Sequence, residues 1–599
     1  MQLDETWDDR PILTETTGKI YNNNLIDAIC KRRPHLLKAP EVLYLTDTSP
    51  QYKDYYFEAA RIIEKAILAH RRIIIAGDYD VDGMTATAVL YSCLNAIHPM
   101  NISWWIPSRE DGYGINAAKI QEFAAKNMID SPLVITVDNG IAAADEIAKL
   151  PDNYQVIVTD HHLAEGKELP ECDYILNPKV FAKEEDDEYM ISGCMVAAKL
   201  GLTVCELFRH KDYELTNYCE VLTGLSILSD MIPLNATVRD AMWLAMIALN
   251  VTDHPGLRAL MTLSGFRYGS DITTNFLSFI LIPKLNATGR MNRVDLGMKL
   301  LLDRRDMSEG NKDSLILANE LINCNRSRKT IEDITLSEAF DLVNLIYHHD
   351  DNTLPSAIVV YKKDWLAGII GIVAARLADL FKVPVICLTG EDVLHGSGRA
   401  PDGYDLYSGL DKCKDCLIQF GGHRVAGGLS LEASKLDEFR NKFSEVYAEQ
   451  KDAKYIRYFD SVASIKDLKD VTFQLFLKRA EPFGNMNEPL TIRLNNVKVI
   501  SHHKKGESLY LVLADNTDSI LVSKYRAENE WYELVAQENI DILVTPNLTY
   551  FTGTTLPEYR AVSFKSKVDD DSSVLDKVKV FTNEEEYTKH VNGEDRSCD

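Results

Sequence analysis

The 599-residue sequence lacks any uninterrupted apolar run of about eighteen residues, the length a helix needs to cross a bilayer. Its first residues, MQLDETWDDRPIL, are acidic where a secretory leader is basic and then apolar, so a cytoplasmic chain without a membrane partner is expected. Cysteine is sparse: 11 residues, an odd number, show no framework spacing and point to thiols in a reducing compartment. The lone CxxC, Cys413 and Cys416, has no second CxxC or histidine pair at finger spacing, falls on a helical pattern and reads as structural. Positive charge is also short, with 65 Lys and Arg against 90 Asp and Glu and a net charge of −25. That balance excludes a protein that coats polyanions non-specifically, because such proteins carry an excess of cations. The tail Val568–Asp599, with ten acids and four bases, supplies −6 of the total, so the remainder is still acidic. Any nucleic-acid contact is therefore confined to a local basic groove.

What is present is an ordinary globular composition, 46% hydrophobic, 26% charged and 9% aromatic, in a chain long enough for three to five cores at about 150 residues each. From about residue 55, helical patterns alternate with short β-branched runs: Arg72–Ala76, Leu133–Val137 and Val156–Thr159. Such runs read as strands of a parallel sheet buried on both faces. Residues 195–345 read as almost wholly helical. A second α/β alternation runs from Ala357–Tyr361 through Val383–Leu388 to about Tyr447. Beyond Lys451 the short runs Leu490–Val499, Ser508–Leu513, Ser519–Ser523 and Ile540–Val544, separated by turn residues, predict a small antiparallel barrel. The expectation is an α/β multidomain protein ending in an acidic tail.

The chemistry-bearing residues sit where strands end. RIIIA runs into Gly77-Asp78-Tyr79-Asp80-Val81-Asp82-Gly83, LVITV into Asp138-Asn139-Gly140, and VIVT into Asp160-His161-His162. All lie at the C-terminal ends of predicted parallel strands, the edge where open α/β sheets place ligands. An Asp after a strand is by itself commonly a turn or an N-cap. Three carboxylates within five positions repel one another, and a site that gathers them needs a cation. Oxygen ligands with one or two imidazoles favour Mn²⁺ or Mg²⁺ over structural Zn²⁺. More than four candidate ligands predict two divalent ions about 3.5–4 Å apart, able to acidify a shared water and clamp the attacking and leaving oxygens of a phosphoryl group.

The strings GDYDVDGMTATAVL, TVDNG and VTDHH with LNPK after it resemble the DHH phosphoesterase superfamily. IPSREDGYGI, LSDMIPL, KLNATGRMN, GIIGIVAARL, GSGRA, FGGHRVAGGL and EPFGNMNEP narrow the resemblance to RecJ-like single-stranded-DNA exonucleases, in the expected order over roughly residues 15–565. That resemblance implies residues 1–55 packing on a DHH domain at 56–300, a helical connector at 301–350, a DHH-associated (DHHA1-type) domain at 351–450, an OB-like barrel at 455–565 and the acidic tail at 566–599. It implies one metal site using Asp80 and a second using Asp82, bridged by Asp138 and completed by His161 and Asp230. Where many relatives have His four residues before Asp80, this chain has Ala76, and Asp78 is the implied substitute. His162 would touch the scissile phosphate or the nucleophilic water, and Asp160 would hold its neighbour's imidazole in the ligating tautomer.

Toward the substrate, Arg109 and Arg290 match positions that hold phosphates near a 5′ end. The segments Gly396–Arg399 and Gly421–Gly428, with Ser397, Arg399, Gly422 and His423, would approach phosphate or base. Leu366 after Trp365, where His is common, and Ala400, where Ser is frequent, depart from the pattern in the associated domain. His348-His349 and His502-His503 read as exposed loops, Glu184–Glu188 as a solvated loop and Trp104-Trp105 as core. Lys504 and Lys505 could add to a local groove in the barrel.

The implied function is 5′-to-3′ hydrolysis of single-stranded DNA to mononucleotides, in repair and recombination, by a monomer that works with a helicase or a single-strand-binding protein. The competing readings are a phosphodiesterase of short oligonucleotides or cyclic dinucleotides, which the predicted barrel argues against, and a silent DHH-like scaffold, which the full ligand set argues against.

Overall fold

The computed structural model describes residues 5–566 apart from 11–22, 39–44, 46–49, 100, 109–113, 165, 167, 304–311, 348–354, 402, 449–454, 526, 528–530, 532–533, 535–538 and 552–553. Arg109, the pair His348-His349 and the tail from 567 on lie outside the described residues.

After a short strand, β1 (Glu5–Asp9), the first sheet comprises β2 (Ile73–Ala76), β3 (Ile102–Trp105), β4 (Leu133–Val137), β5 (Gln155–Thr159) and β6 (Tyr174–Leu176). All its pairings are parallel, in the order β3-β2-β4-β5-β6. Ile73, Ile74 and Ile75 are fully buried, as a strand covered by helices on both faces requires. Helices Val81–Ile97, Gly193–Leu207 and Tyr213–Ser229 pack together beside the sheet and are buried along most of their lengths. Each begins on an acceptor: Asp80, Ser192 and Asp212 bond the first-turn N–H groups.

The second sheet contains β7 (Ile358–Tyr361), β8 (Val385–Gly390), β9 (Val393–Arg399), β10 (Gln419–Gly422) and β11 (Ala426–Glu432), in the order β10-β11-β9-β8-β7. Only β7 and β8 pair in parallel. The 36-residue helix Lys312–Tyr347, about 54 Å long at the α-helical rise, joins the two units. Ala318 and Leu321 at its start belong to the first core, Ala339 and Val343 near its end to the second. Packing at both ends makes it a strut rather than a loose linker.

The last unit contains β12 (Tyr455–Phe459), β13 (Ser461–Ala463), β14 (Ile492–Lys505), β15 (Ser508–Ala514), β16 (Ser519–Tyr525), β17 (Ile540–Phe551) and β18 (Thr554–Ser566). Pairing runs β14-β15-β16-β18-β17 and returns through a β14–β17 ladder, with β16 and β18 parallel. His502 and His503 pair with Leu511 and Tyr510 within this sheet, so they stand on a strand where a loop was expected.

The N-terminal segment is placed differently from the expectation that residues 1–55 pack on the first unit. β1 pairs in parallel with β12, Glu5 opposite Tyr455, and Leu25, Ile26, Ile29, Cys30 and Leu36 are buried in the core of the last unit. Arg33, 2% exposed, forks onto both oxygens of the fully buried Asp460 at 2.7 and 2.9 Å. A buried charge needs a paired opposite, and that pairing ties the N-terminal segment to the last unit. From Tyr52 onward the chain does pack on the first core, through Tyr56, Ala59, Ala60 and Ile63.

Glu184–Glu188 is not uniformly solvated either. Glu188 is buried, accepts from Tyr56 Oη at 2.6 Å and pairs with the buried Lys199 at 2.6 Å. Trp104 and Trp105 are half-buried and pack against cores, as expected. Cys413 and Cys416 are both buried.

Candidate active site

The first sheet delivers the acids to one edge. β2 ends at Ala76, and Asp78 follows, fully buried, with Gly83 so close that a Cβ there would lie 2.6 Å from the Asp78 Cβ. Asp80 caps helix Val81–Ile97, its Oδ1 accepting from Gly83 N–H at 3.0 Å, and Asp82 sits in the first turn. Asp138, after β4, adopts φ +62, a left-handed conformation that Asp tolerates better than most residues. Its carboxylate lies against Gly193, where a Cβ would sit 2.5 Å from Oδ1, so only glycine allows this approach. His161 follows β5, and Asp230 ends helix Tyr213–Ser229.

These side chains meet. Ligating atoms of Asp78, Asp80 and Asp138 lie within 4.8 Å of one another, as do those of Asp82, His161 and Asp230, and those of Asp138, His161 and His162. Asp138 and His161 thus stand between two ligand clusters. The Nδ1 of His161 is bound to the Ile191 carbonyl at 3.0 Å, which makes it the protonated nitrogen and leaves a lone pair on Nε2. That Nε2 faces Asp138 Oδ1 at 3.1 Å, and both atoms are buried without a hydrogen-bond partner. With both groups in their ligating forms, two lone pairs facing each other at this distance fit a shared cation.

The electrostatics agree. Burial, then the charges of Asp82, Asp80, Asp230 and Asp78, hold the Asp138 carboxyl well above the usual carboxylate range. Burial and the charges of Asp82 and Asp80 push Asp230 up to about 8. Burial brings the His161 imidazole down to about 4, keeping it neutral. A divalent ion reverses the penalty on the carboxylates by favouring their ionised forms.

Asp160 is engaged elsewhere. Its Oδ1 accepts from the backbone N–H of His161 and His162 at 2.7 and 3.1 Å, and its Oδ2 from Ile141 N–H at 2.9 Å. The imidazole it holds is that of His162, whose Nδ1 donates to Oδ1 at 2.8 Å; His161, the expected ligand, is held by Ile191 instead. Burial opposes the His162 imidazolium, but that hydrogen bond and the charges of Asp160, Asp230 and Asp82 prevail and raise it to about 9. Its side chain is 43% exposed.

A path of glycine contacts leads from this centre to the second unit. A Cβ on Gly289 would lie 2.1 Å from the Tyr79 carbonyl, and one on Gly368 would lie 2.2 Å from the Arg290 carbonyl. Arg290 Nη1 donates to Gly368 O at 3.0 Å. On the same helix, Ala367–Phe381, a Cβ on Gly371 would meet Ser397 Oγ at 2.8 Å and Arg399 Nη2 at 3.3 Å. Arg290, Ser397 and Arg399 therefore flank the N-terminal turns of one helix, whose cap residue Leu366 offers no side-chain acceptor and takes only the Ile369 N–H, on its carbonyl at 2.8 Å. Gly422 has φ +137, and a Cβ there would strike Ala426 O at 2.4 Å, so it serves the tight β10–β11 turn. His423, in that turn, is exposed.

Sequence reasoning missed the groups that aim the ligands. Asp82 accepts from Gly193 N–H at 2.9 Å, Cys194 N–H at 2.7 Å and Ser226 Oγ at 2.7 Å. Ser226 is bonded in turn to Ser192 Oγ at 2.5 Å. Asn177 Nδ2 donates to His162 O at 2.9 Å, tying LNPK to VTDHH. The tandem Ser-Gly at a helix start was a visible signal; Ser226 carried none.

The family description "DHH family, N-terminal domain" matches residues 72–224, and "DHHA1 domain" matches 354–449. A single-stranded-DNA-specific exonuclease RecJ of Salmonella typhimurium is 33% identical over 453 residues, 72% of this chain and 76% of that protein. The protein of the same name from Bacillus subtilis is 31% identical over 461 residues, 75% of this chain and 55% of that protein. A crystal structure of RecJ in complex with Mn²⁺ from Thermus thermophilus superposes with a TM-score of 0.75 at 21% identity, covering 94% of this chain and 79% of that one. A structure of exonuclease RecJ bound to manganese gives a TM-score of 0.53 at 25% identity over 70% of this chain and 97% of that one. With its acids gathered at the parallel-sheet edge and this extent of identity, the chain belongs to the RecJ family of the DHH–DHHA1 proteins.

Proposed function

We propose that the protein is a metal-dependent exonuclease of single-stranded DNA. The observation that carries this reading is the partnerless contact between Asp138 Oδ1 and His161 Nε2, each a member of a different ligand cluster. Asp78, Asp80 and Asp138 would hold one divalent ion, and Asp82, His161 and Asp230 the other, Mn²⁺ or Mg²⁺, with Asp138 shared. When bound, such a pair supplies Lewis acidity and an acidic water for in-line attack on a phosphodiester. The chain's own residues then do the rest. Asp160 fixes the His162 ring through Nδ1, so the protonated Nε2 can donate to an oxygen of the scissile phosphate. Arg290, Arg399, Ser397 and the helix terminus beside them, which no side chain caps, would receive a phosphate, and His423 lies on the neighbouring turn. Arg109 is proposed as a further phosphate contact on the strength of its motif.

The last unit reads as an OB-like barrel that guides the strand, supported by its returning ladder and its parallel β16–β18 pair. The domain limits then follow the cores: a DHH unit to about residue 300, the strut, a DHHA1 unit at 351–450 and the barrel at 455–565 together with the N-terminal segment. Polarity from 5′ to 3′, mononucleotide products, a role in DNA repair and recombination, a monomeric state, a cytoplasmic setting and cooperation with a helicase or single-strand-binding protein belong to the same proposal. No disulfide joins the described cysteines, and no described helix is long and apolar enough to cross a membrane. Digestion of long single strands labelled at either end, with Mn²⁺ or Mg²⁺, tests it: label released first from the 5′ end supports the reading, and no release with either ion refutes it.

A further inference from the structure

Asp82 and Asp230 stand in the same ligand cluster but are aimed in different ways. Asp82 is 1% exposed and fixed by three donors. Asp230 is 33% exposed, and among the described residues no donor bonds its carboxylate. Its direction therefore follows from its backbone. Asp230 is the C-cap of helix Tyr213–Ser229, and the next residue, Met231, has φ +52, a strained conformation for a residue with a side chain. The Met231 side chain is 70% exposed, so packing does not secure it.

The turn is closed locally by Ile232 N–H donating to the Ile227 carbonyl at 3.0 Å, and it is tied further to the last unit. Asn485 Nδ2 donates to the Met231 carbonyl at 2.8 Å, and Leu234 N–H donates to the Asn485 carbonyl at 2.9 Å. Gly484 lies against the same segment, where a Cβ would be 2.9 Å from Leu234 Cδ1 and 3.6 Å from Leu228 Cδ2. The EPFGNMNEP loop is itself stiff. Asn487, fully buried, donates to the carbonyls of Ala480 and Pro482 at 3.0 and 2.7 Å, and Glu481 accepts from Thr274 Oγ1 at 2.6 Å. Arg239 Nη2 donates to the carbonyls of Arg479 and Glu481 at 3.2 and 3.3 Å.

We propose that Asn485 is a positioning residue for Asp230, through which the last unit completes the second ion's site. The inference rests on the reading of Asp230 as a metal ligand. It makes the EPFGNMNEP loop part of the metal centre's support rather than a substrate contact. It also means that movement of the last unit on a bound strand is felt at one ion and not at the other.

The test uses the full chain. Mn²⁺ binding is followed by calorimetry and by the electron paramagnetic resonance of free Mn²⁺ in Asn485→Ala, Asn485→Asp, which keeps the volume but loses the donor, and Asp230→Ala. A net hydrogen bond corresponds to about three- to tenfold. Both Asn485 variants are expected to bind one ion about three- to tenfold more weakly and the other as before. Excess Mn²⁺ should restore their turnover, with KM for a long strand unchanged, and the Leu234 amide of the metal-free protein should exchange faster. Because Asn485 is exposed, thermal unfolding should be unaltered. Loss of one ion in Asp230→Ala with wild-type binding of both ions in the Asn485 variants overturns this proposal alone. Wild-type binding of both ions in Asp230→Ala overturns the ligand reading beneath it.

Discussion

In the first sheet, β2, β4 and β5 end on Asp78, Asp80, Asp138, Asp160 and His161, and the helices behind them supply Asp82 and Asp230. Across the Arg290–Gly368 contact, the second unit answers with Ser397, Arg399 and a helix terminus that no side chain caps, and Arg290 bridges the two. Both units are α/β layers, yet one edge gathers negative charge and the other presents donors. On the proposed reading the two edges would divide the work on a phosphodiester: cations would balance one, and the other would bind the anion directly. It also explains how a chain of net charge −25 can handle a polyanion without a basic surface.

The comparison breaks most sharply at Asp138. Asp138→Ala removes the shared ligand, and hydrolysis of a single strand is expected to fall by about 10³-fold or more with the far-UV spectrum unchanged; turnover near wild type would remove the metal wall from the picture. Next in size is the metal's effect on stability. Mn²⁺ at about a hundred times its Kd should stabilise the protein by about 2.7 kcal/mol per site relative to chelated protein, and Asp138→Ala should lose most of that gain in a thermal-unfolding titration.

The opposite wall predicts a different signature. Arg399→Ala should raise KM for the strand about ten- to a hundredfold with little change in kcat, and Arg399→Lys should not restore it, because the planar fork is lost. A kcat defect with unchanged KM would place Arg399 with the reaction and blur the division of labour. The smallest effect lies in the first unit away from the centre. Burial pushes Glu220 up to about 7, and its Oε1 has no hydrogen-bond partner among the described residues. A carboxyl raised in the fold contributes stability that is complete below its unfolded pKa, about 4.3, and is lost as pH rises through the folded value. Glu220→Gln should therefore match wild type near pH 4 and exceed it by about 1–2 kcal/mol at pH 8 in denaturant unfolding, the figure reduced for residual solvent contact.

The acids were legible because their spacing repeats a physical constraint. A buried parallel strand must be apolar throughout, so a carboxylate directly after it stands out, and three such strands in one sheet bring theirs to one edge. Other parts left no such trace. Ser226 lies four residues before Asp230 in a helix with no outward sign that its hydroxyl meets Asp82. The expectation that Asp160 orients the ligating imidazole failed because a backbone carbonyl, Ile191 O, takes that role, and carbonyls have no signature in side-chain sequence. The N-terminal segment misled for a related reason: nothing near residues 5–36 announces a partner strand at 455–459 or an Asp460 waiting for Arg33. Glu188 looked like one more acid in a solvated run until Lys199 and Tyr56 were placed beside it.

Local pattern by itself determined which residues are strands, which acids sit at their ends and that a cation must balance them, because alternation, burial and like-charge repulsion act over a few residues. Tertiary structure alone decided which nitrogen of His161 carries the proton, what aims Asp82, and that Glu5–Asp9 and residues 25–36 close onto the last unit. Each of those depends on donors and acceptors far apart in the chain, whose pairing is chosen by packing and by the need to satisfy buried polar groups rather than by any sequence neighbour.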